Sequence, residues 1–220
     1  MNLLIIALIV SGESITLDAH FSFLKLGELK LEVMDDSGCD TNMIHYRSIM
    51  TSNPALKFLF VLEDQVDSWV DRKNLRPVRF VRHISEKNYQ KEETILFDWE
   101  KGYVFYPDSD SVLVDSSATD ILTLFYKLRR IDLEDSFDII VHAGKVDHKI
   151  PCRVIDCKEI KTPLGRFDAI GVGLKTEGKG IFGKGNLEIW MSDDQRRLPV
   201  LVKASFKFGS VVFRLSSYHA

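Results

Sequence analysis

The sequence predicts a mainly β fold, a curved antiparallel sheet or open β-barrel with one covering helix. Three observations predict it: apolar and polar residues alternate along most of the chain, turn residues separate the alternating runs, and a single stretch has helical spacing. Successive side chains on a strand point to opposite faces, so this alternation is typical of strands with one buried and one solvated face. Strands do not alternate with helices, which argues against a parallel sheet.

The first hairpin is predicted near the amino terminus. Leu29, Leu31 and Val33 interleave with charged residues. The preceding run, 16–24, is predicted to pair with them across Lys25-Leu26-Gly27, because glycine readily takes the positive φ that a tight hairpin needs.

The last hairpin gives the clearest alternation, with strand 199–208 turning at Gly209-Ser210 into strand 211–218. The same pattern, bounded by turn residues, predicts ten further strands. They are 43–50, 57–62, 66–71, 76–85, 92–98, 103–106, 139–143, 149–156, 167–174 and 186–192.

The helix is predicted over residues 117–130, where apolar residues recur at helical spacing. Ser117 and Asp120 resemble a capping box at its start. Lys127 and Arg129 suit the negative end of the helix dipole. We expect this helix to cover or plug the sheet.

Composition indicates one ordinary globular domain. The chain has 220 residues, 45% of them hydrophobic, and 29 basic against 32 acidic residues give a net charge of −3. These values exclude disorder and do not favour binding to nucleic acid. A chain of this length buries about 70% of its extended surface, so its stability requires neither a metal nor a disulfide.

The amino terminus carries the only apolar run that suggests export. Leu3–Val10 is continuously apolar and is followed by the small and polar residues of 11–14. We predict residues 1–12 to be a short signal peptide and residues 13–220 to be a single antiparallel β domain. A buried first strand, with a cytoplasmic protein, is the alternative. After residue 12 no run reaches the length of a transmembrane span.

Catalytic and cofactor motifs are weak in this chain. The glycines of 178–185 match G-x-G-x-x-G, but a strand rather than a helix follows them, so no nucleotide cofactor is expected. The six histidines are scattered, which does not support a metal site. His142 and His148 are predicted to be exposed at a hairpin. No nucleophile motif is present, and we assign no catalytic residue.

Aromatic residues crowd the first half of the chain. They are expected to form an ordinary β core or to line an apolar cavity that holds a lipid or another amphiphile. The residues are Phe58, Phe60, Trp69, Phe80, Tyr89, Phe97, Trp99, Tyr103, Phe105 and Tyr106.

Three stretches resemble a bacterial exported family catalogued as domain of unknown function 3108. They are Asp120–Arg129, Thr162–Ala169 and Gly185–Val200, and the last has that family's pattern of glycine, tryptophan, paired acids, arginine and Leu-Pro-Val. The likeness extends over nearly the whole of residues 13–220. It implies a mostly antiparallel β protein of the cell envelope and implies no activity.

Four residues of these stretches are candidates for ligand binding: Tyr126, Arg129, Trp190 and Arg197. Each also has a structural interpretation. Trp190 could anchor the sheet, Arg197 could pair with an acid of the adjacent Asp193-Asp194 turn, and Arg129 could form a buried ion pair or hold an acidic ligand.

The leading functional hypothesis is a non-enzymatic envelope protein, periplasmic or associated with the outer membrane, that binds a lipid, amphiphile or glycan in a curved sheet. The alternatives are an assembly or structural factor that binds another envelope protein, and a hydrolase with a cryptic site. If the protein is a carrier, we expect a cavity lined by aromatic residues. If it is an assembly factor, we expect an exposed apolar patch or a free strand edge, and if it is an enzyme, we expect clustered titratable groups.

Overall fold

The computed structural model confirms a mainly β protein with one α-helix among the residues it describes. The described residues are 9–35, 42–56, 58, 61–86, 89–107, 109–133, 135–176, 185–207 and 209–220. The strands are β1 Ser14–Phe21, β2 Leu24–Met34, β3 Met43–Ser52, β4 Leu62–Asp71, β5 Pro77–Glu86, β6 Tyr89–Asp98, β7 Tyr103–Tyr106, β8 Ser109–Leu113, β9 Ser136–Ala143, β10 Val146–Thr162, β11 Gly165–Thr176, β12 Gly185–Ser192, β13 Pro199–Phe206 and β14 Gly209–His219. The helix, α1, is Ile121–Leu128, and a 3₁₀ helix spans Pro54–Leu56.

All fourteen strands belong to one antiparallel sheet in the order β8-β7-β6-β5-β4-β3-β2-β1-β14-β13-β12-β11-β10-β9. The first and last strands pair with each other, as they do in an up-and-down barrel. The ladder is interrupted between β8 and β9, where the chain leaves the sheet and forms α1. The described part of the chain contains no helix long and apolar enough to cross a membrane.

One face of the sheet is continuously apolar because buried residues alternate with more exposed ones along each strand. Cross-strand partners such as Ile189 and Val202, or Leu17 and Leu29, carry this inner face from strand to strand. The larger buried cluster joins β1–β4, α1 and β9–β14. A smaller cluster contains Phe80, Ile95, Phe97, Val104 and Tyr106, on β5–β7.

The helix is shorter than predicted and its cap is different. The amino-terminal cap is Asp120, not Ser117: one Asp120 oxygen accepts bonds from the Leu122 and Thr123 amides, each at 2.8 Å. The other oxygen accepts bonds from the hydroxyls of Ser68, at 2.6 Å, and Thr123, at 2.7 Å. The Asp120 side chain therefore satisfies the first helical amides and also joins α1 to β4.

The gap between β8 and β9 is partly bridged by the segment that leads into α1. Thr119 lies beside Val141 in a parallel bridge. Its amide donates to the Ile140 carbonyl at 2.9 Å, and its carbonyl accepts a bond from the His142 amide at 2.8 Å. Backbone groups at the β9 edge are thereby satisfied without a full strand pair.

The first hairpin turns earlier than the sequence predicts. Its turn is the two-residue Ser22-Phe23, with Ser22 at φ 55°. Gly27 instead lies inside β2, where an added Cβ would be 2.0 Å from the Thr51 carbonyl oxygen. Gly27 is thus required by the close approach of two backbones, and not by a positive φ.

Two other local predictions were wrong. The strand predicted over 57–62 does not form as one element, since Phe58 is in a turn and β4 begins at Leu62. Strand β8 was missed because its residues, Ser109–Leu113, are mostly polar and give no alternation. Most of the predicted signal peptide, residues 1–8, lies outside the described residues. Ile9 packs against the large cluster, and the Gly12 amide donates to the Val33 carbonyl at 2.8 Å.

We expect Gly27→Ala to lower the free energy of unfolding by about 3 kcal/mol, because the new Cβ meets a backbone oxygen that cannot move without breaking the β2–β3 pairing. Gly173→Ala is the control, since there the nearest atom is the Ile155 methyl group, the end of a side chain. Urea unfolding of both variants measures the difference. Equal losses for the two variants would contradict this account of Gly27.

Candidate functional site

Arg129 forms a buried ion pair, one of the two roles that the sequence suggested for it, with a partner, Glu13, that the sequence did not identify. Its guanidinium donates to both carboxylate oxygens of Glu13, at 2.5 and 2.8 Å, and to the Arg196 carbonyl at 3.0 Å. Both side chains of the pair are at most 2% exposed. Burial acts to lower the pKa of Arg129, but hydrogen bonding and attraction to Glu13 outweigh it and raise the pKa. The geometry is that of a bidentate pair joining α1, the β12–β13 connection and the chain before β1.

Tyr126 lies one turn earlier on α1 and stacks on Tyr46 of β3, with ring centroids 3.7 Å apart. Its hydroxyl donates to the Glu32 carbonyl at 3.2 Å. Burial raises the pKa of Tyr46 to about 12. The two rings fill the space between the helix and the inner face, so Tyr126 and Arg129 lie together at one end of the interior.

Trp190 lies on the opposite face of β12 from the inner-face residue Ile189, so the structure does not bring it together with Tyr126. Its ring covers Gly171, where an added Cβ would be 2.9 Å from ring atoms. The Lys158 ammonium stands 4.1 Å from the ring centroid. Trp190 therefore packs across β10–β12 on the outer face, consistent with an anchoring role.

Arg197 lies in the β12–β13 connection with φ 48° and is 7% exposed. The paired-acid turn does not bind its guanidinium in the way that the sequence suggested. Asp194 forms its ion pair with Arg196, while Arg197 contributes only its amide to Asp194. One guanidinium nitrogen of Arg197, Nη1, has no hydrogen-bond partner among the described residues. Ligand binding by these four residues stays a prediction.

A polar cluster on the outer face of β3 and β4 was not predicted. Asp67 accepts hydrogen bonds from Arg47 and Gln65, both at 2.7 Å, and contacts the His45 ring nitrogen Nε2 at 2.6 Å. Burial acts to raise the pKa of Asp67, but the bonds from His45, Gln65 and Arg47 prevail and hold it at about 2. The antiparallel register sets this cluster, because it places Arg47 opposite Asp67. A sequence gives little signal of register before the strands are paired.

A second unpredicted cluster spans the gap in the sheet. His142 is buried, contrary to the exposed hairpin position that we predicted. Its ring contacts the Tyr106 hydroxyl at 2.8 Å through Nε2 and the Asp147 carboxylate at 2.6 Å through Nδ1. The Tyr106 hydroxyl also accepts the Lys145 amide at 3.1 Å. Burial raises the pKa of Tyr106. These hydrogen bonds connect β7 to the β9–β10 hairpin.

Metal and thiol chemistry find little support in the described residues. They include no group of three His, Cys, Asp or Glu side chains placed to hold a metal ion. Cys152 and Cys157 are free thiols on β10, and burial raises the pKa of Cys152 to about 12. A thiol with a raised pKa is a poor nucleophile near neutral pH. Cys39 and the glycine-rich stretch 178–184 lie outside the described residues.

The aromatic residues do not line one common cavity. Phe80, Phe97 and Tyr106 are buried in the smaller cluster, where they pack on one another. Phe58 and Tyr89 are 74% and 52% exposed. Phe60 lies outside the described residues. The aromatic set thus divides between core positions and surface positions.

Five of the exposed aromatic residues collect at one end of the sheet, while Tyr103 and Phe105, 37% and 39% exposed, lie on β7 outside this group. The five lie in or beside the turns of four adjacent hairpins, β13–β14, β1–β2, β3–β4 and β5–β6, which follow one another in the strand order. We call this set the aromatic rim: Phe21, Phe23, Phe58, Tyr89 and Phe206. The Glu13–Arg129 pair lies at the other end, where the β12–β13 connection and the chain before β1 meet.

The turn of the β1–β2 hairpin holds the most exposed member of the rim. Phe23 is 93% exposed. The turn consists only of Ser22 and Phe23, which is too short for the Phe23 ring to pack back onto the sheet. The ring of Phe21 lies against Gly209 of β14, where an added Cβ would be 2.7 Å from Phe21 Cε2. Phe206 is the cross-strand partner of Gly209. The exposed rings of two hairpins therefore adjoin.

Arg129→Ala should lower the free energy of unfolding by about 3–5 kcal/mol, because Glu13 would be left as a buried charge without its partner. The double variant Glu13→Leu with Arg129→Met removes both charges and should recover most of this loss. A double-mutant cycle of urea unfolding measures the coupling. Additive losses, with no recovery in the double variant, would refute a paired role.

The Asp67 cluster predicts a loss of stability in acid. The ordinary pKa of 3.8 falls to about 2 in the folded protein, which corresponds to about 2 kcal/mol of stabilisation. This contribution is complete above pH 3.8 and is lost as the pH falls through about 2. Asp67→Asn should be less stable than the wild type near neutral pH, and the difference should shrink in acid. Thermal unfolding as a function of pH measures it, and a constant difference would contradict the assignment.

Comparison with solved structures supports the fold. A β-barrel-like protein of domain of unknown function DUF1849 from Brucella abortus matches with a TM-score of 0.63 at 10% identity, covering 96% of this chain and 98% of that chain. A protein from Bacteroides fragilis with a YmcC-like fold, provisionally described as exported, matches with a TM-score of 0.43 at 12% identity, covering 96% and 97%. The match to the Brucella abortus protein shows the fold alone, and the match to the Bacteroides fragilis protein is too weak to support an inference.

Comparison by sequence gives the family. No protein among the curated ones matches this chain. A family model described as "Protein of unknown function (DUF3108)" matches residues 16–216, nearly the whole chain and all three of the stretches that carried the resemblance. The chain belongs to the DUF3108 family.

Proposed function

We propose that this protein is a non-enzymatic component of the bacterial cell envelope that binds an amphiphile at the aromatic rim. The observation that carries the proposal is the exposure of five aromatic side chains on four adjacent hairpins at one end of the sheet. Exposed apolar side chains scattered singly are common on soluble proteins, whereas several gathered at one end of a sheet favour a binding surface there.

The rim is separate from the residues that hold the fold together. Phe23 and Phe58 are not members of either buried cluster. Because these two side chains are exposed, they add little packing energy to the folded chain. Moving a phenylalanine side chain out of water on binding would contribute about 1.5–3 kcal/mol to the free energy of binding. A ligand with an apolar portion would gain this contribution, and a purely polar glycan would gain less. The geometry therefore favours a lipid or another amphiphile over a glycan.

The envelope location is the second part of the proposal. It is supported by the apolar run Leu3–Val10 and the small polar residues after it, the pattern of a short signal peptide.

An assembly factor would also present an exposed apolar patch, and the rim is such a patch, so the binding test below decides between a lipid and a protein partner. Strand-edge pairing and hydrolysis have weaker support. An assembly factor that pairs through a strand edge would use β8, but that edge is five residues long and carries Ser109, Asp110 and Ser111, which are poor edge-pairing residues. A hydrolase would need a nucleophile beside its base. The His142 ring has both nitrogens engaged, by Tyr106 and Asp147.

We expect dodecylphosphocholine, added below its micelle concentration, to bind at the rim. Backbone amide NMR shifts should change saturably around residues 21–24, 58 and 206 and should be small near Trp190 and Arg197. Phe23→Ser with Phe58→Ser should abolish the changes, whereas Leu113→Ser should not. Leu113 is a matched control, since it is 73% exposed but lies on β8 outside the rim. Unchanged spectra, or changes confined to Trp190 and Arg197, would overturn the proposal.

A further inference from the structure

Resting on the function proposed above, we infer that the aromatic rim docks on the surface of a lipid bilayer that carries anionic headgroups. The rim inserts its rings at the interface, and lysines beside it contact the headgroups. The bound partner is thus a membrane surface and not a single amphiphile held in a cavity.

The arrangement of the rim suits a broad and deformable surface. Its side chains come from separate hairpins across eight adjacent strands, β13, β14 and β1–β6. With about 4.8 Å between neighbouring strands, the row extends over about 30 Å. One small amphiphile cannot contact the whole row. A bilayer interface can receive each ring separately, and aromatic rings are favoured at that depth.

The charge at this end fits anionic headgroups. Among the described residues of the connections at the rim end (22–23, 53–56, 58, 61, 107, 144–145 and 207), the charged residues are Lys145 and Lys207. None of those residues is acidic, although the exposed Glu63 and Glu86 lie at the adjoining ends of β4 and β5. Lys25, at the start of β2, is partly exposed although it also pairs with Asp18 and Glu28. A lysine close to an anionic membrane surface is attracted to it.

The connections at the opposite end have a different character. In their described parts acidic and basic residues are mixed, as in the Asp194–Arg196 pair of the β12–β13 connection. Trp99 is the aromatic residue of the β6–β7 connection, and it is engaged by the Pro77 carbonyl and by Phe97. The rim end has the larger exposed aromatic surface, which would orient the protein with its rim toward the membrane.

Vesicle cosedimentation tests this inference. The full chain should bind vesicles of phosphatidylcholine with phosphatidylglycerol more tightly than vesicles of phosphatidylcholine alone, and high salt should weaken the binding. Phe23→Ser and Phe58→Ser should each weaken it about tenfold, and Leu113→Ser should leave it unchanged. Lys145→Gln with Lys207→Gln should weaken binding only to the anionic vesicles, by about fivefold per lysine.

Insertion of the rim side chains into the bilayer can be measured separately by tryptophan fluorescence. In Phe23→Trp the indole should shift its emission to shorter wavelength on anionic vesicles and should be quenched by brominated lipid, relative to the background of the three native tryptophans. Leu113→Trp should show neither change. Circular dichroism and thermal unfolding of each variant establish that it is folded.

The outcomes separate the two proposals. Saturable binding of dodecylphosphocholine monomers at the rim without vesicle binding would overturn the membrane inference and leave the proposed function standing. Absence of both would overturn both. Equal binding to neutral and anionic vesicles at all salt concentrations would refute the anionic partner. Rim-dependent dimers in analytical ultracentrifugation, without vesicle binding, would assign the rim to a second copy of this chain.

Discussion

The fixing of α1 across the interior is the constraint on which the rest of the structure depends. The helix has eight residues, too few to be stable by itself in water. Asp120 ties its first turn to Ser68 of β4, and Arg129, directly after its last turn, is held by Glu13 and the Arg196 carbonyl. With both ends held, the buried side chains of α1 cover the inner face where the sheet fails to close.

Each attachment stabilises the fold only while it is complete. Asp120 and Glu13 are both 1% exposed, and a carboxylate at that depth is costly unless hydrogen bonds or an opposite charge compensate for it. Four hydrogen bonds offset part of the cost for Asp120, whose pKa is still raised by burial. Glu13 is compensated by a bidentate guanidinium. Two buried carboxylates thus specify the position of the helix as well as contributing to stability.

Much of the fold could be predicted because alternation reports directly which face of a strand is buried. The hairpin of β13 and β14 and the presence of a single helix follow from this signal. Gly27 was misassigned because the sequence cannot distinguish a glycine needed for a turn from one needed for close backbone contact. Strand β8 was missed because a polar edge strand does not alternate.

The candidate site was harder to predict, for a physical reason. Tyr126 and Arg129 stood out by their chemistry, yet their contacts are with Tyr46 and Glu13, which only the folded chain brings near. The members of the aromatic rim look like core residues in a linear sequence. Phe23 is distinguished from Phe80 only by its place in a turn, and that place followed from the true register of β1 and β2.

The pairing of β1 with β14 has a consequence for the order of folding. All the remaining strand pairs join strands that are consecutive in the sequence. The two half-sheets, β1–β8 and β9–β14, are therefore built from local contacts, which form with a small loss of chain entropy. The seam between β1 and β14 joins the first and last strands, and contacts of such high sequence separation form slowly. A nascent chain therefore exposes the edge of β1 until its final strand has been synthesised. This leaves an interval in which an unpaired β1 can aggregate or be recognised by a chaperone.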